Sequence, residues 1–357
     1  MALFTSAPSS ICILRLSAIG DVCNTIAAVQ AIQKQWPTTR ITWVTGALEA
    51  KLLAGITGVE LIVFDKKKGW HAYQKLWADL ANQHFDALLH MQYAFRASIA
   101  TLGIKATYKL GFDAKRSQDF QTLFTNVKVP SPEGAHVLDG LLAFAEHLGI
   151  KDVQPKWSLH YSGQDATWAE KQLSSSKRNL VIVPGASKAY KNWHAEGYAK
   201  VIEHATQANW NIILAGSPAN VETDLAQQIT DLTSCSTSIS NTGINNLVGQ
   251  SSLMQMLALL DKCDLVIAPD TGPAHMANAV NTPVLGLYAH HNPKRTGPYQ
   301  YQDYVVSVWE QAIEQQTGKL HTEQDWRSRV KDKDAMNLIT SHQVIDMFNL
   351  ICRKESL

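Results

Sequence analysis

Three short segments of this chain combine residue types and spacings suited to phosphate and proton chemistry. The first is Pro269-Asp270-Thr271-Gly272-Pro273-Ala274-His275. Pro273 suits the first turn of a helix, which places Thr271 and Gly272 at its N-terminus. Free backbone N–H groups and the positive end of the helix dipole make such a turn an anion seat, and Gly272 lets an anion approach the main chain closely. The dipole is worth only about 0.3–2 kcal/mol, so other groups must contribute. A diphosphate is the expected guest. The competing reading is that Asp270 or Thr271 caps the helix and His275 is a satisfied, partly buried imidazole.

The second segment is Pro184-Gly185-Ala186-Ser187 followed by Lys188-Ala189-Tyr190-Lys191-Asn192-Trp193-His194. A small-residue turn ahead of two lysines can offer N–H groups, the Ser187 hydroxyl and an ammonium to a phosphate, with Lys191 the preferred cation. The plainer reading is a solvated loop with Trp193 as its lid. The third is Ser17-Ala18-Ile19-Gly20-Asp21, ahead of a helical pattern. A carboxylate there can accept a proton from an attacking hydroxyl, or it can serve as a helix cap. The run has neither the GxGxxG fingerprint nor the P-loop pattern, which counts against dinucleotide and ATP sites. Weaker candidates are basic: Lys66, Lys67 and Lys68 before Gly69-Trp70-His71, Lys115 and Arg116 after Gly111-Phe112-Asp113, and Arg96 after His90-Met91-Gln92. They can receive carboxylates or phosphates of an acceptor, although a charge run is more often a solvated loop.

These segments need strands and helices to position them. Apolar runs at 11–16, 41–44, 61–64 and 87–91 read as buried parallel strands, as do 180–183, 211–215, 265–268 and 284–288. Helical periodicity appears at 26–32, 70–80 and 138–148, the last with Gly149 as its stop. It recurs at 194–207, 221–232, 252–261, 273–280 and 341–351. The stretch 151–178, with Pro155, Gly163 and three consecutive serines, breaks the rhythm and marks a domain boundary. Two doubly wound α/β domains follow, with a cleft between them expected. In such sheets ligands bind beyond the carboxyl ends of the strands, where all three segments fall.

Bulk properties bound the function classes. At 357 residues the chain exceeds one ordinary core. Its net charge of +1 excludes a strongly basic nucleic-acid-binding domain. Residues 1–150 carry 14 Lys and Arg against 11 Asp and Glu, and the remainder 18 against 20, a mild bias that suits an acidic acceptor at the first domain. No stretch approaches a membrane span, and no secretory signal is read at the start. Five cysteines, Cys12, Cys23, Cys235, Cys263 and Cys352, lack metal-type spacing and are expected as free thiols in the cytoplasm.

Taken in order, Gly20-Asp21, Ser187, Lys191-Asn192-Trp193 and Asp270-Thr271-Gly272-Pro273-Ala274-His275 resemble the ADP-heptose:lipopolysaccharide heptosyltransferases of glycosyltransferase family 9. His90-Met91-Gln92 and Lys109-Leu110-Gly111-Phe112-Asp113 look like the members that glycosylate Kdo. The resemblance implies an α/β GT-B fold of two facing Rossmann-like domains: an acceptor domain over 1–160 and a nucleotide-sugar domain over 175–335. It also implies a final helix, 340–352, that packs back on the first domain. It implies inverting transfer with no metal or other cofactor, from ADP-heptose to Kdo-lipid A or a related core acceptor; any contact with the inner-membrane surface is expected to be peripheral, through exposed basic and aromatic groups such as those from Lys66 to Trp70. By position, Asp21 matches the general base, Lys191 the cation on the donor phosphates and Thr271-Gly272 the diphosphate seat. Ser187, Asp270 and His275 match donor-site residues, and Ser17 joins the acceptor side. Members of the family often carry a Glu two residues after the glycine that ends the next strand. Here Gly216 is followed by Ser217 and Pro218, and Glu222 lies a turn later. Other readings of the same scaffold are transfer to a later core heptose, a nucleotide-sugar epimerase or hydrolase, and a non-catalytic nucleotide-sugar-binding protein.

Overall fold

The computed structural model describes residues 2–234 and 244–357, which divide into two compact units at His160/Tyr161. The first unit opens with β1 (Ser10–Leu14), α1 (Ile19–Gln35), β2 (Arg40–Thr45), α2 (Glu49–Leu53) and β3 (Val59–Val63). It continues with α3 (Trp70–Asp79), β4 (Phe85–His90), α4 (Phe95–Ala100), β5 (Ala106–Phe112), β6 (Val127–Val129) and α5 (Val137–Leu148). Its strands form one parallel sheet in the order β3-β2-β1-β4-β5-β6. β1 is buried along its whole length, as its uninterrupted apolar sequence requires of a central strand covered on both faces. α5 stops at Gly149, whose φ of 120° is open to glycine and whose N–H closes on Ala145 and Glu146.

The second unit begins with α6 (Gly163–Gln172), β7 (Asn179–Ile182), α7 (Ala195–Gln207), β8 (Asn211–Leu214), α8 (Asn220–Ser234) and β9 (Asn245–Asn246). There follow α9 (Leu253–Lys262), β10 (Leu265–Pro269), α10 (Gly272–Ala279), β11 (Val284–Tyr288), α11 (Pro293–Thr296), β12 (Val305–Ser307), α12 (Trp309–Thr317) and α13 (Ser341–Lys354). The sheet order, β12-β11-β10-β7-β8-β9, is the first unit's order repeated, and its pairings are again parallel. In each unit the chain direction across the sheet reverses between the first and fourth strands, β1/β4 and β7/β10. Crossovers leave on opposite faces there, and a crevice opens beyond the carboxyl ends of those two strands.

Two expectations change. Residues 163–172, read as part of an irregular boundary, form α6, whose Ser162 hydroxyl accepts from Asp165 N at 3.1 Å while Asp165 reaches back to Ser162 N at 3.2 Å. The last helix was expected on the first unit. Instead, α13 lies against α7 and β12 and buries Val344, Phe348 and Ile351 in the second unit's own core. Phe348 meets the rings of His204 and Trp210, and His204 Nε2 pairs with Asn349 Oδ1 at 2.9 Å. Each of those three apolar side chains is worth about 1.5–3 kcal/mol on burial, enough to hold a single helix where it lies.

Candidate functional site

In the second unit the two sharpest segments meet at the β7/β10 reversal. The loop after β7 is folded by its own residues: Asn192 Oδ1 accepts from Ala186 N at 2.8 Å, and the Tyr198 hydroxyl donates to Pro184 O at 3.2 Å. Trp193 is no lid. It is buried, and its indole N–H donates to Ile339 O at 3.0 Å, so it anchors the loop to the core. One turn of 3-10 helix, Ala189–Lys191, then delivers the Lys191 ammonium to Asp270 Oδ2 at 2.7 Å. His291, just past β11, places Nδ1 on the same oxygen at 2.6 Å. Burial pushes the Asp270 carboxyl up, but the His291 hydrogen bond and the Lys191 charge outweigh it and hold it well below the ordinary carboxylate range.

This arrangement removes the side-chain-cap reading of the Asp-Thr-Gly segment. Asp270 is engaged by Lys191 and His291, and Thr271, at the N-cap, makes no side-chain capping bond. The first turn of α10 therefore presents its N–H groups without a side-chain cap, with Pro273 inside that turn and His275 buried behind it. Ser187 lies exposed on the β7 loop. A small cavity beside Lys191 and Asp270 is lined by His290, His291 and Met336. His290 fixes this wall by bridging Tyr190 O at 2.7 Å and Val330 O at 3.1 Å. At the neighbouring strand end, Glu222 is buried and its Oε2 accepts from Ser217 N at 2.8 Å. It packs so tightly that a Cβ on Gly185 would fall 2.5 Å from its Cγ, and one on Gly216 2.8 Å from its Oε2. The glycine in the loop after β7 is thus required by the packing of Glu222, and the one after β8 leaves room for its carboxylate.

The first unit builds a second cluster at the β1/β4 reversal. Asp21 lies in the first turn of α1, and its Oδ2 accepts from Ala18 N at 3.3 Å, so the capping reading is correct in part. The same oxygen is paired with the guanidinium of Arg15, a residue at the end of β1 that sequence reasoning passed over. Ser17, half-buried, donates its backbone N–H to Gln92 Oε1 at 3.3 Å, and Leu16 N donates there at 2.9 Å. Gln121 in turn donates to His90 O at 2.8 Å and Gln92 O at 3.0 Å. The turn carrying Asp21 is therefore held from β4 outward.

Comparison with known proteins agrees with this architecture. The sequence profile described as Glycosyltransferase family 9 (heptosyltransferase) matches residues 73–326. The lipopolysaccharide core heptosyltransferase OpsX of Haemophilus influenzae is 47% identical over 345 residues, 97% of each chain. The chain belongs to glycosyltransferase family 9. Among solved structures, the family 9 glycosyltransferase of Veillonella parvula is similar with a TM-score of 0.76 at 20% identity, covering 97% of each chain. The heptosyltransferase WaaC of E. coli, solved with ADP, is similar at 0.71 and 17%, covering 96% of this chain and 99% of that one. The fold is that of the GT-B glycosyltransferases, and the protein is an enzyme, a heptosyltransferase.

Within this family 9 enzyme the basic candidates separate. Lys66, Lys67 and Lys68 form an exposed 3-10 turn capped by Asp65, whose Oδ1 accepts from Lys67 N at 3.0 Å. Arg96 and Lys115 are exposed. Arg116 is a correction: it is buried, and its guanidinium donates to His136 O at 3.2 Å and Gly134 O at 2.5 Å. Its guanidinium fixes the 134–136 turn from within, so it is not a solvent-facing receptor. Cys12, Cys23, Cys263 and Cys352 are free thiols, and burial pushes Cys23 up to about 12, which leaves it inert. Cys235 lies outside the described residues. No described helix is long and apolar enough to cross a membrane.

Proposed function

We propose that this heptosyltransferase moves heptose from ADP-L-glycero-D-manno-heptose to Kdo of the lipopolysaccharide inner core. The reaction is a single displacement that inverts the anomeric centre and needs no divalent ion. The acceptor hydroxyl attacks the anomeric carbon, its proton passes to Asp21, and the bond to the ADP phosphate breaks with its electron pair leaving on the diphosphate. Charge grows on that leaving group, so donors already in place lower the barrier.

The observation that carries the reading is the convergence of Lys191, Asp270 and His291 beside the side-chain-free N-terminus of α10. An ammonium has three protons, and Asp270 Oδ2 takes one at 2.7 Å. Lys191 can keep that partner and still donate to a phosphate, joined by the Thr271-Gly272 amides, Ser187 and His275. Glu222, seated beside Gly185 and Gly216 with both carboxylate oxygens held by Ser217, stands in for the expected glutamate by shaping the turn that would meet the nucleoside. The family relationship to a lipopolysaccharide core heptosyltransferase supports a core acceptor. Ser17, Lys66, Lys67, Lys68, Arg96 and Lys115 are its proposed receivers. With the exposed Trp70, the three lysines also form a peripheral contact with the cytoplasmic face of the inner membrane.

Mass spectrometry of the purified protein with ADP-heptose and Kdo-lipid A tests the proposal, and one added heptose is expected. Activity only on an acceptor that already carries heptose would move the step later in the core. Free heptose or an epimerised donor would make the enzyme a hydrolase or epimerase, and donor binding without any product would leave a binding protein.

A further inference from the structure

Arg15 is a charged side chain in an expensive place. It follows the wholly buried strand β1 and is itself 3% exposed. Its main chain is pinned on both sides, N–H to Val44 O at 3.2 Å and O to the Trp43 indole at 3.1 Å. The guanidinium spans the β1/β4 reversal: Nη1 donates to Met91 O, Nη2 pairs with Asp21 Oδ2, and Nε is buried without a hydrogen-bond partner. Burying a guanidinium with one N–H unsatisfied costs stability that an apolar side chain would not. The bond to Met91 O ties the end of β1 to the end of β4, but it does not need the second guanidinium arm, and α1 already has its first-turn contact from Ala18 N to Asp21.

The consequence falls on the carboxylate. Both Asp21 contacts, from Arg15 and from Ala18 N, converge on Oδ2, and among the described residues none reaches Oδ1. The Asp21 side chain is 39% exposed. Arg15 thus selects which oxygen faces outward and locks the rotamer that presents it. His90, at the end of β4, is buried with Nε2 on Ser98 Oγ and makes no hydrogen bond to the Asp21 carboxylate.

We propose that Arg15 is a positioning residue for the proton-accepting step: it holds Asp21 Oδ2 so that Oδ1 meets the acceptor hydroxyl. This rests on Asp21 as the base. The test is a double-mutant cycle in heptose transfer with Arg15→Met, Asp21→Asn and both together, plus Arg15→Lys, reading kcat and donor KM. Misplacing a catalytic group by about 1 Å costs about 100-fold, so Arg15→Met should lower kcat by about that factor while donor KM moves by less than about twofold. Arg15→Lys, which keeps a cation, should recover part of the loss. In the Asp21→Asn background Arg15→Met should cost nothing further. An equal loss in both backgrounds, or full activity of Arg15→Met, overturns the role. Full activity of Asp21→Asn overturns the base assignment itself. If Arg15→Met does not fold, the same cycle with Arg15→Lys decides: a kcat loss confined to the Asp21 background supports the proposal, and a loss in both defeats it.

Discussion

His90 gives the first unit a built-in sensitivity to acid. Its imidazole is fully buried at the end of β4, with Nε2 3.0 Å from Ser98 Oγ and Nδ1 buried without a partner. Burial, followed by the charges of Arg15 and Lys128, lowers its pKa from 6.5 to about 3. The folded ring stays neutral where the unfolded one gains a proton, so stability is unaffected above about pH 7 and falls as pH drops below 6.5, levelling near 3. Between pH 7 and pH 5 the unfolded histidine gains about 2 kcal/mol from protonation that the folded one cannot take. That figure requires only that the folded pKa lie well below 5. The perturbation is His90→Gln, which keeps a polar group near Ser98 but does not titrate. The assay is urea unfolding at the two pH values, read by hydrogen-exchange mass spectrometry on peptides from β1 and β4 so that this unit is followed by itself. Wild type should lose about 2 kcal/mol more than the variant on moving to pH 5, whatever the variant costs at pH 7. Equal losses in the two proteins would refute the argument, because every other titrating group is common to both.

Two further outcomes follow from the same geometry. Lys191→Met leaves Asp270 largely buried with His291 alone, so thermal or urea unfolding should show a loss of about 3 kcal/mol at neutral pH. Because the Asp270 carboxyl is held low in the wild type, its contribution is present above the ordinary carboxylate range and vanishes in acid, so the two proteins should converge as pH falls below about 4; ADP titration calorimetry should show weakened binding. At the surface, Trp70 is 56% exposed beside Lys66, Lys67 and Lys68, its ring 5.4 Å from that of Trp77. Trp70→Ser should cost about 1 kcal/mol of stability through its lost ring contacts with Tyr73 and Trp77 and should reduce co-sedimentation of the folded protein with anionic vesicles; unchanged sedimentation would remove this face from the membrane contact.

Much of this architecture is legible in the residues, for a physical reason. Central parallel strands are buried on both faces, so β1, β4, β7 and β10 are written as largely apolar runs, and the candidate segments are found at their carboxyl ends. The elements that escape notice lack that signature. β5 mixes Tyr108 and Lys109 into its length and is only partly buried, while α6 has one buried residue and announces itself solely through Ser162 and Asp165. Arg116 misleads because its partners, the carbonyls of Gly134 and His136, lie 18 and 20 residues further on.

Pairings across the sheet are harder still. Lys191 and Asp270 are 79 residues apart, and Arg15 and Met91 are 76. Nothing local to any of these segments specifies its partner. What specifies it is strand order: in both units the first and fourth strands lie side by side, so residues just past their ends are forced together however far apart they stand in the chain. A polar residue just after an apolar strand, as with Arg15 after β1 and His290-His291 shortly after β11, is the signal that was available. Each lies at a carboxyl end, and each turns out to grip an acidic side chain or fix a loop at the reversal point. The two halves of the chain therefore pair a cation with a carboxylate beside a helix N-terminus: Arg15, directly after β1, on Asp21, and Lys191, on the 3-10 turn after β7, on Asp270. In the first unit that restraint leaves Asp21 Oδ1 without a partner among the described residues; in the second it engages Asp270 and leaves α10 without a side-chain cap.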